Sequence, residues 1–247
     1  MDTVFYLNAF SALLVSAVWL YYLRNLDIFE PEKWSDILLV FAMGIFTPQL
    51  VYLSHHLYLD ALFNQSPRGH WEVLVHSVFV IGFVEEYSKF IPVIIIFIFK
   101  RKVINESIDI LLYSSASAIG FAAFENVMYF QLYGFELFLW RSLLCVMGHM
   151  ADTALIGYGL VLFIYKKPRN KWLTLFKYFA FAAIAHGLYD FFLLTDLPSP
   201  LGFLLSLGSY LVMIEMWSVM VNICLNNSPF YTVDLKINPS RIQRLLF

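Results

Sequence analysis

Long apolar segments recur along the chain, with only short polar or charged stretches between them. A helix needs about 20 residues to cross a hydrocarbon core of roughly 30 Å. Seven segments reach that length: 3–23, 35–59, 71–99, 107–133, 142–165, 173–194 and 201–225. The pattern therefore predicts an all-α fold, a polytopic membrane helix bundle of about seven transmembrane helices. The third segment is longer than the bilayer requires and contains Pro92. Proline removes a backbone donor and crowds the preceding turn, so a kink or break is expected there, with room for an eighth short segment. The first segment follows Met1-Asp2 without a basic n-region or a small-residue cleavage site, which reads as a spanning helix rather than a removable signal peptide. No internal repeat, low-complexity run or interdomain linker interrupts the pattern. Residues 1–247 are expected to form a single integral membrane domain, with 226–247 as a tail.

Composition strengthens the membrane reading. The chain is 60% hydrophobic and 14% charged, with mean hydropathy +0.71, against about a quarter charged in an ordinary soluble domain. Loops rich in Lys and Arg stay in the cytoplasm during insertion. Arg24, Lys33, Lys100, Arg101, Lys102, Lys166, Lys167, Arg169, Lys171 and the tail residues Lys236, Arg241 and Arg244 fall on one side, whereas Arg68 and Arg141 fall on the other. This asymmetry predicts an external N-terminus and a cytoplasmic C-terminus. The tail mixes basic and apolar residues over 241–247 and is expected to lie on the inner membrane surface. A net charge of -2 with scattered basic residues excludes a nucleic-acid partner. Cys145 and Cys224 both sit in apolar segments and supply neither a disulfide framework nor a CxxC metal site.

Against this apolar background, ionisable residues inside the spans stand out. Charged groups in lipid are costly, face the bundle interior and mark function. The third span holds Glu85, Glu86 and Lys89; the fourth holds Glu125 beside Asn126; the fifth holds His149 and Asp152; the sixth holds His186 and Asp190. Glu85 to Lys89 and His186 to Asp190 are spaced i,i+4, and His149 to Asp152 i,i+3, so each pair shares a helix face. Glu125, His149 and His186 each lie eight or nine residues from the expected outer end of their helix, roughly 12 to 14 Å at 1.5 Å per residue. Groups at similar depth on separate helices predict one shared cavity, open toward the extracytoplasmic side.

Two histidines and a carboxylate match the donors of a catalytic zinc centre that keeps one position for water, and a further carboxylate can serve as its base. Proton- or ion-coupled transporters also gather such groups near the bilayer midplane, and Glu85, Glu125 and Asp190 would then relay charge. A catalytically silent scaffold for single-span partners is a third reading. The bland alternative for Glu85, Glu86 and Lys89 is a structural ion-pair cluster, although two glutamates oversupply one lysine. For His149 and His186 it is an interhelical hydrogen bond. His55, His56, His70 and His76 are read as interfacial or structural, and Glu215 has no evident partner.

Gly82-Phe83-Val84-Glu85-Glu86-Tyr87-Ser88-Lys89 resembles the EExxK motif of the PrsW-type intramembrane proteases. Gly120-Phe121-Ala122-Ala123-Phe124-Glu125-Asn126 resembles their FxxxEN motif, Gly148-His149 with Gly157-Tyr158 their fifth-helix histidine motif, and Ala185-His186-Gly187-Leu188-Tyr189-Asp190 their HxxxD segment. The four stand in family order within 82–190. The family is related to the CAAX prenyl endopeptidases and bacteriocin-processing proteins, whose second motif carries His where this chain has Glu125. The resemblance implies Glu85 as base, Glu86 as partner of Lys89, and Glu125, His149 and His186 as metal or water ligands. Asp190 would ligate directly or hold His186, and Asn126 would support the site; Asp152 is read either as a further supporting residue or as a local partner of Lys or Thr groups. It also implies a divalent metal, zinc by expectation, and a membrane-anchored protein substrate cut near the extracytoplasmic side. Residence in a bacterial cytoplasmic membrane and the first cut of an anti-sigma factor follow by the same analogy. HExxH, GxSxG, a Walker loop and GxGD are all absent from the sequence.

Overall fold

A computed structural model describes residues 3–59, 69–166, 168–195, 198 and 200–230. Those residues are helical with no strands among them. The longer helices are α1 (Thr3–Leu26), α2 (Trp34–Phe46), α3 (Pro48–Ser54), α4 (His70–Val75), α5 (Phe83–Phe99), α6 (Ser107–Tyr133), α7 (Val146–Val161), α8 (Lys171–Leu194) and α9 (Leu201–Asn226). Five helical stretches are long and apolar enough to cross a membrane: Thr3–Leu26, Trp34–Leu57, Ser107–Tyr133, Phe135–Lys166 and Leu201–Asn226. Two further helices of spanning length, 70–99 and Lys171–Leu194, carry the Glu85, Glu86, Lys89, His186 and Asp190 groups. The chain is thus an integral membrane protein built as a helix bundle. Basic tail 231–247, Arg68 and Lys167 lie outside the described residues.

Helix α6 forms the axis of the bundle. Its apolar window is 94% buried, and it packs against α1, α2, α5 and α7. The stretch Ser114-Ser115-Ala116-Ser117-Ala118 and Gly120 keeps its surface thin, as helix packing in lipid requires. A Cβ at Gly120 would meet the backbone of Phe41 and Ile45, and one at Gly44 would meet the Ser117 carbonyl. These two glycines let α2 and α6 cross in backbone contact. The outer faces of α1 and α9 expose Phe10, Leu14, Val18, Leu204, Leu211 and Val212. Such surfaces are stable only when lipid covers them.

Two spans depart from expectation. The second divides at Thr47, where Pro48 begins α3, a first-turn position in which the missing N–H costs nothing. The third does not break at Pro92, which lies inside continuous α5. Proline disturbs the carbonyls of the preceding turn, and here the Lys89 carbonyl accepts the Ser117 hydroxyl at 2.6 Å. The irregularity lies earlier, in a π-helical stretch His76–Gly82 that joins α4 to α5. A Cβ at Gly187 would meet Val78 Cα at 2.5 Å and the Ser77 carbonyl at 2.7 Å. Glycine there seats α8 directly on the π-helical stretch, about two turns before the two glutamates.

Candidate active site

Four helices and one π-helical turn deliver the polar groups. Helix α5 contributes Glu85, Glu86 and Lys89; α6 contributes Glu125 and Asn126; α7 contributes His149, Asp152 and Thr153; α8 contributes His186 and Asp190. Arg141 enters from the π-helical stretch Arg141–Cys145. The structure brings all nine sequence-predicted residues to one region. Glu85, Glu125, His149, Asp152, His186 and Asp190 line a single cavity of about 330 Å³, together with Arg141, Tyr129 and Tyr189. His70 is elsewhere, bonded through Nδ1 to the Thr195 hydroxyl at 2.6 Å.

Lys89 sits at the focus with none of its side chain exposed. Its ammonium donates to Glu86 Oε1 at 2.9 Å, Glu85 Oε2 at 3.1 Å and His149 Nδ1 at 2.9 Å, and lies 3.4 Å from His186 Nδ1. An ammonium has three protons and no lone pair, so the three shorter contacts use its donors and fix the tautomer of His149. Nδ1 accepts, and Nε2–H is left to donate to Glu125 Oε2 at 2.9 Å. The Phe121 ring closes the other side of the ammonium at 4.3 Å, a cation–π contact in a site sealed from water.

The two adjacent glutamates stand in different surroundings. Glu86 is fully buried: Oε1 takes Lys89 and His186 Nδ1 (2.8 Å), and Oε2 takes the Thr153 hydroxyl (2.7 Å). Both of its oxygens are engaged in joining α5, α7 and α8. Glu85 faces the cavity, with Lys89 on one side and His186 Nε2 at 3.6 Å on the other. Asp190 Oδ2 lies 3.3 Å from the same Nε2. With His186 Nδ1–H given to Glu86, Nε2 confronts two carboxylates, an arrangement that either a proton on the ring or a bound cation relieves.

Glu85, His149 and His186 offer ligand atoms within 4.8 Å of one another, and all three line the cavity. Glu86, Asp152 and His186 form a second such group, but Glu86 is not among the residues lining the cavity. Two imidazoles and a carboxylate converging on one cavity fit a divalent metal of the zinc kind. Glu125, expected among the ligands, falls in neither group. It pairs with Arg141 Nη2 at 3.0 Å and with His149. The partnership is electrostatic: a carboxylate this deep is held by the nearest cation. Arg141 also donates through Nε to Asn126 Oδ1 at 2.9 Å and lies 3.6 Å above the Tyr129 ring.

The family model described as PrsW family intramembrane metalloprotease matches residues 32–221. The chain belongs to this family. Curated relatives named Protease PrsW include one from Clostridioides difficile (strain 630), 25% identical over 75% of this chain and 78% of its own length. Another, from Geobacillus kaustophilus (strain HTA426), is 28% identical over 70% and 73%. One from Bacillus subtilis (strain 168) is 33% identical over 45% and 51%. No solved structure matches. The chain is therefore an intramembrane protease, and every residue of the cavity cluster lies inside the part that the PrsW family model covers. Sequence reasoning missed Arg141 and Thr153. Arg141 stands at an expected helix end and reads as a loop charge, and a lone threonine in lipid carries no signal.

Proposed function

We propose that the cavity is a metal-dependent peptidase centre that cuts membrane-anchored proteins near the extracytoplasmic face. The observation that carries this reading is the convergence of Glu85, His149 and His186 on the cavity beside a saturated Glu86. Glu85, His149 and His186 would hold the metal, zinc by donor type, with His149 Nδ1 exchanging its hydrogen bond from Lys89 for the metal. Bound there, the metal lowers the pKa of water and polarises the scissile carbonyl. Glu125 acts on the far ring nitrogen, taking Nε2–H and fixing the imidazole's orientation and basicity. Asp190, with 21% of its side chain exposed, is the most open of these carboxylates. It takes the proton of the attacking water and returns it to the leaving amine. Arg141, already aimed into the cavity by Glu125, Asn126 and Tyr129, stabilises negative charge developing on the carbonyl oxygen.

We further propose seven spans, with α5 and α8 crossing alongside the five most apolar stretches. The chain sits N-terminus out in a bacterial cytoplasmic membrane. Its substrate class would be single-span regulators such as anti-sigma factors. The deciding test places purified protein and a membrane-anchored reporter in liposomes and measures metal content and cleavage together. Wild type should cleave and carry one zinc, and His149→Ala/His186→Ala should do neither. Full cleavage by a zinc-free double variant would end the proposal.

A further inference from the structure

A second group of buried acids lies at the opposite end of α6 from the active site. Asp27 follows the last residue of α1, Glu106 is the N-cap of α6, and Asp109 lies in its first turn. Asp109 and Glu125 are separated by roughly 24 Å along the helix at 1.5 Å per residue. The three carboxyl groups offer oxygens within 4.8 Å of one another. Their residues are 1%, 0% and 0% exposed.

Glu106 and Asp109 form a capping box at the start of α6, but no cation among the described residues compensates their charge. Asp109 Oδ2 accepts the backbone N–H groups of Asn105 and Glu106, both at 2.8 Å, and Asp27 Oδ1 accepts the N–H of Glu30 at 3.3 Å. Asp109 Oδ1 and Asp27 Oδ2 are buried without a hydrogen-bond partner. No lysine or arginine bonds to any of the three among the described residues. Arg24 instead donates to the Glu32 carbonyl at 2.7 Å, and Lys100 pairs with Asp36. Buried acids are found paired, protonated or on a metal, and orphaned oxygens on converging carboxylates suit the last.

We propose that Asp27, Glu106 and Asp109 form a site for a hard divalent cation, Mg²⁺ or Ca²⁺, independent of the catalytic metal. The donors are all oxygen, with no imidazole or thiolate in the group, which suits these ions rather than zinc. Two oxygens on one Ca²⁺ at 2.3–2.6 Å can stand up to about 5 Å apart, so the present spread needs little adjustment. The site ties the α1–α2 connection to the start of α6. The same helix start is also tied to the end of α9, through the Ser107 hydroxyl on the Cys224 carbonyl at 3.4 Å. A cation there fixes the inner end of the helix whose other end carries Glu125.

The test uses full-length protein in detergent on a His149→Ala/His186→Ala background, which removes the imidazole donors and keeps this result separate from the active-site reading. Mn²⁺ serves as the paramagnetic probe, with Mg²⁺ and Ca²⁺ as competitors. One saturable Mn²⁺ site, displaced by Mg²⁺ or Ca²⁺, is expected. Asp27→Asn and Asp109→Asn keep an acceptor oxygen for the backbone and should each weaken that site at least tenfold. Both should also abolish the rise in thermal stability with added Ca²⁺. Should either variant misfold, Glu106→Gln replaces it with the same expectation. Absence of saturable binding, or unchanged affinity in the folded variants, overturns the proposal.

Discussion

Replacing Glu85 and Glu86 in turn by glutamine separates the roles of two neighbours that the sequence alone makes look equivalent. Glu86 and Lys89 are both 0% exposed and 2.9 Å apart. Removing one partner of a buried ion pair costs about 3–5 kcal/mol. Because Lys89 keeps Glu85 at 3.1 Å, the lower end applies, about 3 kcal/mol for Glu86→Gln. At 2–4 °C per kcal/mol for a chain of this size, the midpoint of thermal unfolding should fall by roughly 6–12 °C. Glu85→Gln deletes the longer contact, relieves repulsion from Glu125 and Asp190, and leaves the Lys89–Glu86 pair intact. Its stability should change by about 1 kcal/mol or less, while bound metal and cleavage are both lost. Thermal unfolding in detergent, metal content and reporter cleavage are measured on the same preparations. Equal destabilisation by the two variants, or normal cleavage by Glu85→Gln, would refute the division of labour.

Three further outcomes follow from the geometry. Glu125→Gln should weaken metal binding about tenfold by removing the charge that orients His149, and extra zinc should restore much of its activity; a variant no better at saturating zinc would show another role for Glu125. Asp190→Asn should keep the metal and lower the cleavage rate by roughly 10²–10⁴, whereas loss of metal in that variant would make Asp190 a ligand. Gly187→Ala drives a Cβ into the backbone of Ser77 and Val78. Overpacking there should cost roughly 1–3 kcal/mol and reduce cleavage through displacement of His186, and unchanged stability would count against so tight a crossing.

Much of this fold was legible because lipid enforces a simple rule. The 107–133 segment and helix α6 have the same bounds, since a helix buried on all sides must be continuously apolar or small. The site residues were legible for the complementary reason: Glu85, His149, His186 and Asp190 are conspicuous where every charge is costly. What stayed hidden depended on a second segment. Pro92 lies inside continuous α5, one turn after the Lys89 carbonyl that Ser117, 28 positions away in sequence, reaches. Arg141 reads as a loop charge until a π-helical turn brings it beside Glu125 and Asn126. Asp27, Glu106 and Asp109 each look like an ordinary polar connection, and only the packing of α1 beside α6 makes them one buried group.

The asymmetry between Glu85 and Glu86 follows from helix geometry itself. At about 100° per residue, Glu85 stands roughly 40° to one side of Lys89 and Glu86 roughly 60° to the other. One lysine therefore bonds both carboxylates while pointing them along different walls. On the Glu86 side, α7 and α8 close in with Thr153 and His186, engage both carboxylate oxygens and bury the group. On the Glu85 side the same two helices leave the cavity. A pair of adjacent acids four and three residues before a lysine thus yields one locked carboxylate and one available carboxylate, with a single cation holding both in place. An Arg in place of Lys89 would bring a planar fork into a space that accepts a compact ammonium at 2.9 Å from His149 and 4.3 Å from Phe121. Lys89→Arg should therefore disrupt the site although the charge is preserved, a loss of cleavage that no argument from charge alone predicts.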